Sequence, residues 1–182
     1  GTIASMSQPL EIVEADLSQL AHQSAVLQMM NAYASDPFGD GEPLAQEVQA
    51  NLIPGLQRHS TTLVFLAFSG NQPVGIAMCF GGFSTFAAAP LINISDFYVI
   101  SDFYVDPSCR GQGIGRQLLQ AVEDEGRKRG CCKLTLEVQE NNHRARGIYA
   151  EFGFSQMVFM EEAGGALALS KPLGQKSNGG AK

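Results

Sequence analysis

The spacing of apolar positions changes repeatedly along the chain, and each change marks an element. Leu10 to Glu14 alternates as a short strand. A helix follows to about Tyr33, capped by Asp16 or Ser18, with Leu17, Leu20, Ala21, Ala25, Leu27 and Met30 forming its apolar face. Asp36 to Pro43 is a loop by composition, rich in Asp, Gly and Pro. Leu44 to Leu56 has a helical pattern that Pro54-Gly55 is expected to interrupt. Thr61 to Phe68 is dense in β-forming residues, Ser69 to Gln72 is a hairpin turn, and Pro73 to Phe80 is the return strand. Gly81-Gly82 and Ala87 to Pro90 bracket what reads as a flexible link. Phe83 and Phe86, inside it, are expected to pack on the sheet edge.

The next strand pattern is doubled. Ile94-Ser-Asp-Phe-Tyr-Val99 is followed at once by Ile100-Ser-Asp-Phe-Tyr-Val105. Both copies extended would span ~40 Å at about 3.3 Å per residue, well beyond an ordinary strand. The offset of six is even, so either copy presents the same side chains to the same faces. The second copy is tethered directly to the glycine-rich segment that follows, so it is expected to fill the strand. The first copy would then lengthen the preceding connection or pair further along the sheet edge.

Ile114, Leu118, Leu119 and Val122 mark a helix that ends at Arg127-Lys-Arg-Gly130. Cys131 to Gln139 alternates as a strand. Asn142 caps a helix from His143 to about Phe152, which Gly153-Phe154 closes. Met157 to Met160 and Ala166 to Leu169 suggest a closing hairpin around Gly164-Gly165. This succession predicts one α/β domain over residues 8–173, with flexible ends at 1–7 and 174–182.

Composition narrows the chemistry. Hydrophobic residues make up 45% of the 182 positions and charged residues 16%, as in a globular chain. A net charge of −6 argues against a nucleic-acid partner, which needs clustered Lys and Arg. Four cysteines, two of them adjacent at Cys131 and Cys132, form neither a disulfide framework nor a metal-binding C-x-x-C pair. Reduced thiols in the cytoplasm and no bound metal are the expectation. No apolar run is long enough to cross a bilayer, so no membrane association is predicted either.

The segment Ser101 to Arg116 carries the main functional signal. After Val105, Asp106-Pro107 turns the chain and Arg110-Gly-Gln-Gly-Ile-Gly115 leads into a helix. A helix N-terminus presents unpaired N–H groups and a partial positive charge, and glycine lets an anion approach the backbone. The stretch therefore reads as a pyrophosphate cradle, with a ligand-free tight turn as the alternative. The glycine spacing fits neither the dinucleotide fingerprint nor the ATPase loop. It does fit R-x-x-G-x-G. Further on, Asn142, Ala145, Ile148, Tyr149, Gly153 and Phe154 fit N-x-x-A-x-x-[LI]-Y-x-x-x-G-F. On these two motifs, about 30 residues apart, the chain resembles the GNAT family of N-acetyltransferases over roughly residues 92–155.

The resemblance implies the acyl-CoA N-acyltransferase fold: a mixed, twisted, mainly antiparallel sheet with a V-shaped split between its central strands, flanked by helices. It implies acetyl-CoA as co-substrate and direct transfer of the acetyl group to a primary amine. Carried over residue by residue, the cradle is Arg110, Gly111, Gln112, Gly113, Ile114, Gly115 and Arg116. Phe103, Tyr104 and Val105 on the splayed strand end meet the pantetheine amides and the thioester oxygen, and Asn142 and Ala145 meet the pantetheine arm. Arg144 and Arg146 stand close enough in sequence to be considered for the 3′-phosphate. Tyr149 is the expected general acid, since a phenol is protonated at neutral pH and can donate to the leaving thiolate. Asp102 and Glu137 are the candidates to accept the amine's proton. Asp102-Phe-Tyr-Val105, with Gly75 to Met78 upstream, resembles the diamine and polyamine branch. That branch carries an acidic residue where this chain has Ser101. Ser101 departs from that pattern, and a small amine stays the favoured acceptor on the rest of the resemblance. A peptide or protein amine, or a coenzyme A-binding module without turnover, are the alternatives. Family members commonly form homodimers.

Overall fold

A computed structural model describes residues 9–101 and 113–174. The chain packs as two compact units, one up to Leu136 and one from Glu137 onward. In the first, strands β1 (Leu10–Glu14), β2 (Thr62–Ser69), β3 (Gln72–Ser84), β4 (Ala89–Val99) and β5 (Leu134–Leu136) form one sheet in sequence order. All pairings are antiparallel except β4 with β5. Helices α1 (Leu20–Ser35) and α2 (Gln46–Arg58) cover one face. Their Ala25, Val26, Met29, Ile53 and Leu56 pack with Val64, Leu66, Ile76 and Met78. Residues alternate across a strand, so Gly75 of β3 points to the other face. There α3 (Ile114–Lys128) lies against it: a Cβ on Gly75 would sit 2.8 Å from Leu118 Cδ1 and 3.2 Å from Ile114 Cγ2. Val26, Leu66, Ile76, Leu118, Leu119 and Val122 are fully buried. Each such side chain contributes roughly 1.5–3 kcal/mol of transfer free energy, which makes the two helix–sheet layers the main source of stability.

The tandem hexapeptide resolves against the expectation. The first copy, not the second, fills the strand: Val99 pairs Gly75, Tyr98 pairs Ile76, Phe97 pairs Ala77, Asp96 pairs Met78 and Ile94 pairs Cys79. The reason lies upstream. Ile92 is 1% exposed, and Asn93 Nδ2 donates to Thr135 Oγ1 at 2.9 Å. Sliding the second copy into register would put Tyr98 in the place of Ile92 and Val99 in that of Asn93. Overpacking costs roughly 1–3 kcal/mol and the lost hydrogen bond about 1 kcal/mol. Looping the first copy out would open a bulge in a central strand. The tether to the glycine segment is weaker than these terms. Of the second copy, Ile100 donates its N–H to Val74 O at 3.0 Å, and residues 102–105 lie outside the described residues.

Other boundaries also move. α1 begins at Leu20 because Asp16 is occupied locally, accepting from Ser18 N (3.0 Å), Ser18 Oγ (2.7 Å) and Gln19 Nε2 (3.2 Å). Leu20 is exposed, and Val26 and Met29 carry the buried face instead. α2 runs through Pro54 without interruption: Pro54 sits on the exposed side while buried Ile53 and Leu56 hold the helix in place. β3 continues through Gly81 and Gly82, which pair with Ile92 and Leu91; a Cβ on Gly82 would meet Leu91 Cδ1 at 3.0 Å. The expected flexible link is therefore a hairpin, with Phe83 and Phe86 exposed (64% and 103%) rather than packed on the sheet edge. β5 is only three residues long. Ahead of it the chain is tied down elsewhere, Cys131 N–H to Gly126 O and Cys132 N–H to Pro90 O, both 2.9 Å.

In the second unit α4 (His143–Phe152) is capped as expected, Asn142 Oδ1 accepting from Ala145 N at 3.2 Å and Gly153 closing the helix at φ +109°. β6 (Val158–Met160) pairs with β7 (Gly164–Gly165). The two glycines thus form the return strand, and a 3-10 turn at Glu161–Ala163 makes the bend.

Candidate active site

Beyond Ile94, β4 leaves β5 behind. The parallel pairing covers only Ile92, Asn93 and Ile94 against Leu134, Thr135 and Leu136, and Ser95 to Val99 continue without a described β5 partner. Ser95 is a bulge residue, inserted between the Ile94–Cys79 and Asp96–Met78 pairs. It resets the strand's alternation. The N–H of Ile100 points to β3, so in an antiparallel ladder those of Tyr98 and Asp96 do too, while Phe97 and Val99 turn their N–H and C=O groups towards the gap. The first hexapeptide copy therefore turns these backbone groups away from β3, on the side where its pairing with β5 has ended.

α3 begins beside that edge. Its N-cap, Gly113, adopts the left-handed conformation at φ +65°, and among the described residues no side chain caps the helix. By position, the N–H groups of Ile114, Gly115 and Arg116 have no intrahelical acceptor. Gly115 makes the close approach possible: a Cβ there would lie 3.4 Å from Phe97 Cζ and 3.7 Å from Val99 Cγ2. A helix N-terminus and the strand segment beyond the β5 pairing thus meet at one corner of the sheet. A diphosphate with a peptide-like arm matches that pair: phosphate on the N–H cluster, amides along the strand. The donor set fits coenzyme A on these grounds.

On the opposite face the bulge brings Asp96 and Tyr98 towards α1. The rings of Tyr98 and Tyr33 stand 5.6 Å apart at 39°. Burial pushes the Asp96 carboxyl above its ordinary value, and no hydrogen bond or ion pair to it appears among the described residues. The Tyr33 phenol is likewise pushed up, first by burial and then by the negative charges of Asp96, Asp36 and Asp40. Asp36 and Asp40 stand on the turn after α1, held by Gly39 N–H to Asp36 O and Asp40 N–H to Ala34 O, both 2.8 Å. A separate cleft of about 500 Å³, lined by Glu11, His22, Phe68 and Asn71 among others, opens at the β1 edge of the sheet. It holds none of the residues that the two motifs single out.

A family model described as "Acetyltransferase (GNAT) family" matches residues 26–154. The chain belongs to the GNAT acetyltransferase family. Among curated proteins it is 26% identical over 111 residues to an uncharacterized N-acetyltransferase, YhfO, of Bacillus subtilis, covering 61% of this chain and 70% of that protein. It is also 26% identical over 147 residues to the thialysine N-epsilon-acetyltransferase of Mus musculus, covering 81% and 75%. A crystal structure of a probable acetyltransferase superposes with a TM-score of 0.69 at 19% identity, covering 89% of this chain and 99% of that one. This GNAT chain is an acetyl-transferring enzyme with the fold that its motifs led us to expect.

The expected GNAT site residues fall into three groups. Gly113, Ile114, Gly115 and Arg116 stand at the start of α3, with Ile114 buried and Arg116 exposed. Glu137 follows β5 and is exposed. Asn142, Ala145 and Tyr149 belong to α4 in the second unit, where Tyr149 is 7% exposed with its ring edge-on to Phe154 at 5.9 Å. Arg146 Nη1 donates to Glu140 O at 2.9 Å. Asp102, Phe103, Tyr104, Val105, Arg110, Gly111 and Gln112 lie outside the described residues. Sequence reasoning missed Tyr33, Asp36, Asp40 and Asp96. The signal for Asp96 was present in the duplicated hexapeptide, but the strand was assigned to the wrong copy.

Proposed function

We propose that this enzyme transfers the acetyl group of acetyl-CoA to the primary amine of a small cationic acceptor. One observation carries the reading: the N-terminus of α3 abuts β4 beyond its pairing with β5, with Gly115 against Phe97 and Val99. On the motif's pattern, Arg110, Gly111 and Gln112 complete the phosphate cradle that Gly113 to Arg116 begin, and Asn142 and Ala145 support the pantetheine arm. The N–H groups of Phe97 and Val99 take the strand role first assigned to Phe103, Tyr104 and Val105, because the first copy holds the slot. There they can pair with pantetheine amides and stabilise negative charge developing on the thioester oxygen as the amine adds. Tyr149 donates a proton to the departing thiolate. The position that Asp102 would have held in the strand belongs to Asp96. Glu137, exposed at the end of β5, is the other candidate proton acceptor.

The negative field around Tyr33 favours a positively charged acceptor, and the thialysine relative acts on an amino-acid amine by its name. Calorimetry with coenzyme A should register binding at micromolar to low millimolar ligand. Thiol release should then follow with aliphatic diamines and not with peptides. Release only with peptides would move the acceptor to the protein class, and binding without release would make the chain a coenzyme-binding module. Tyr149→Phe should lower turnover ten-fold or more while leaving coenzyme affinity within about two-fold. Unchanged turnover would remove Tyr149 as the acid.

A further inference from the structure

The α1 face of β4 carries more than packing. Tyr33 and Tyr98 form a ring pair in which both residues are only half-buried, and the rings converge from different elements. Asp96 lies two residues before Tyr98 on the same face of the same strand, partly desolvated and without a cation among the described residues. Tyr98 packs against the buried cluster on this face, whose own members are aliphatic side chains and Met, so its ring and the Asp96 carboxyl stand at the rim of the core rather than inside it. An aromatic pair beside an unbalanced carboxylate is the chemistry that receives an aliphatic ammonium, through the ring faces and the charge together.

We propose that Tyr33 and Tyr98, with Asp96, form the seat for the acceptor's ammonium group, the first hexapeptide copy supplying Asp96 and Tyr98 from the strand. The assignment rests on the acetyltransferase reading and deepens it by naming the residues that choose the acceptor. Tyr33 is the specificity-determining residue contributed by α1. The residues assigned to the seat lie between positions 33 and 98. Removing residues 100–105 leaves the same chain as removing 94–99, and in either product one hexapeptide occupies the slot.

The test uses the full chain, steady-state thiol release and two acceptors: putrescine, cationic at neutral pH, and trifluoroethylamine, mostly neutral there. Tyr33→Leu keeps apolar bulk and removes the ring. It should raise KM for putrescine about ten-fold, in line with an ammonium–ring contact. KM for acetyl-CoA should stay within two-fold. Tyr33→Phe keeps the ring and should stay within about three-fold of the wild type. Asp96→Asn should raise KM for putrescine by a similar factor and that for trifluoroethylamine by less, whatever its effect on kcat. The single-copy chain should match the wild-type KM for putrescine. Equal KM values for putrescine in the wild type, Tyr33→Leu and Asp96→Asn would overturn the seat, as would a single-copy chain that folds and binds coenzyme A but no longer saturates with putrescine. No thiol release from the wild type with any amine would instead overturn the acetyltransferase reading. Calorimetric binding of coenzyme A to each variant separates the two failures.

Discussion

Asp96 holds a carboxylate in surroundings that favour its protonated form. Its pKa in the fold lies above the ordinary 3.8, with burial as the cause. The sign follows directly. The folded chain holds this proton more tightly than the unfolded one, so the contribution of Asp96 to stability declines as pH rises from the ordinary carboxylate value through the folded one. Asp96→Asn removes the charge and keeps the shape. It should therefore be more stable than the wild type at pH 7, by on the order of 1 kcal/mol, or about 2–4 °C in Tm for a chain of this size. The gap should narrow as pH falls and the wild-type carboxyl regains its proton. Thermal melts of both proteins across that range provide the check. A variant that is less stable at pH 7 would mean that the carboxylate has a favourable partner in the fold. A gain in stability together with a loss of amine binding is the pattern expected of a side chain kept for function.

Among the elements, α3 and β4 depend on one missing side chain. Gly115 leaves the first turn of the helix in contact with Phe97 and Val99. An alanine there would make ordinary van der Waals contact, whereas the branched side chain of valine would have to displace the Phe97 ring or the helix. Gly115→Val should cost roughly 1–3 kcal/mol in urea denaturation and weaken coenzyme A binding about ten-fold, while Gly115→Ala loses little of either. A valine variant that binds coenzyme A normally would separate the helix terminus from the site. Much of this element layer was legible from residue patterns. β1, α3, the Asn142 cap and the hairpin at Gly70 follow from alternation, helical spacing and turn chemistry, which are local. The choice between hexapeptides was not legible, because the two are identical and the deciding contacts belong to Ile92 and Asn93 outside them. Tyr33 was hidden for a related reason: its meaning comes from Tyr98 on a strand 65 residues later, a pairing that no helical periodicity announces. Pro54 failed as a helix stop because local propensity yielded to burial on either side of it.

At the scale of the molecule, stability is unevenly placed. The first unit buries aliphatic side chains on both faces of a five-stranded sheet, whereas Tyr149 is the one buried residue described from Glu137 onward. Protection against hydrogen exchange follows buried, cooperative structure. Amides of β2, β3 and α3 should exchange only through global opening, and those of α4 and β6 at least about ten-fold faster at neutral pH. Mass-resolved exchange would show it, and equal protection across both units would contradict it. Added coenzyme A should narrow the difference by protecting α4, where Asn142 and Tyr149 reside.

The hexapeptides bear on the gene as well as on the protein. Direct repeats invite slippage during replication, and losing the codons of either one restores the same shorter reading frame. In the shorter chain positions 94–99 keep the same residues, while Asp106 takes the place of Ile100, whose N–H pairs with Val74 O and whose side chain packs against the core. A lineage could therefore gain or shed the repeat in one heritable step at the cost of a single apolar contact at the strand's end.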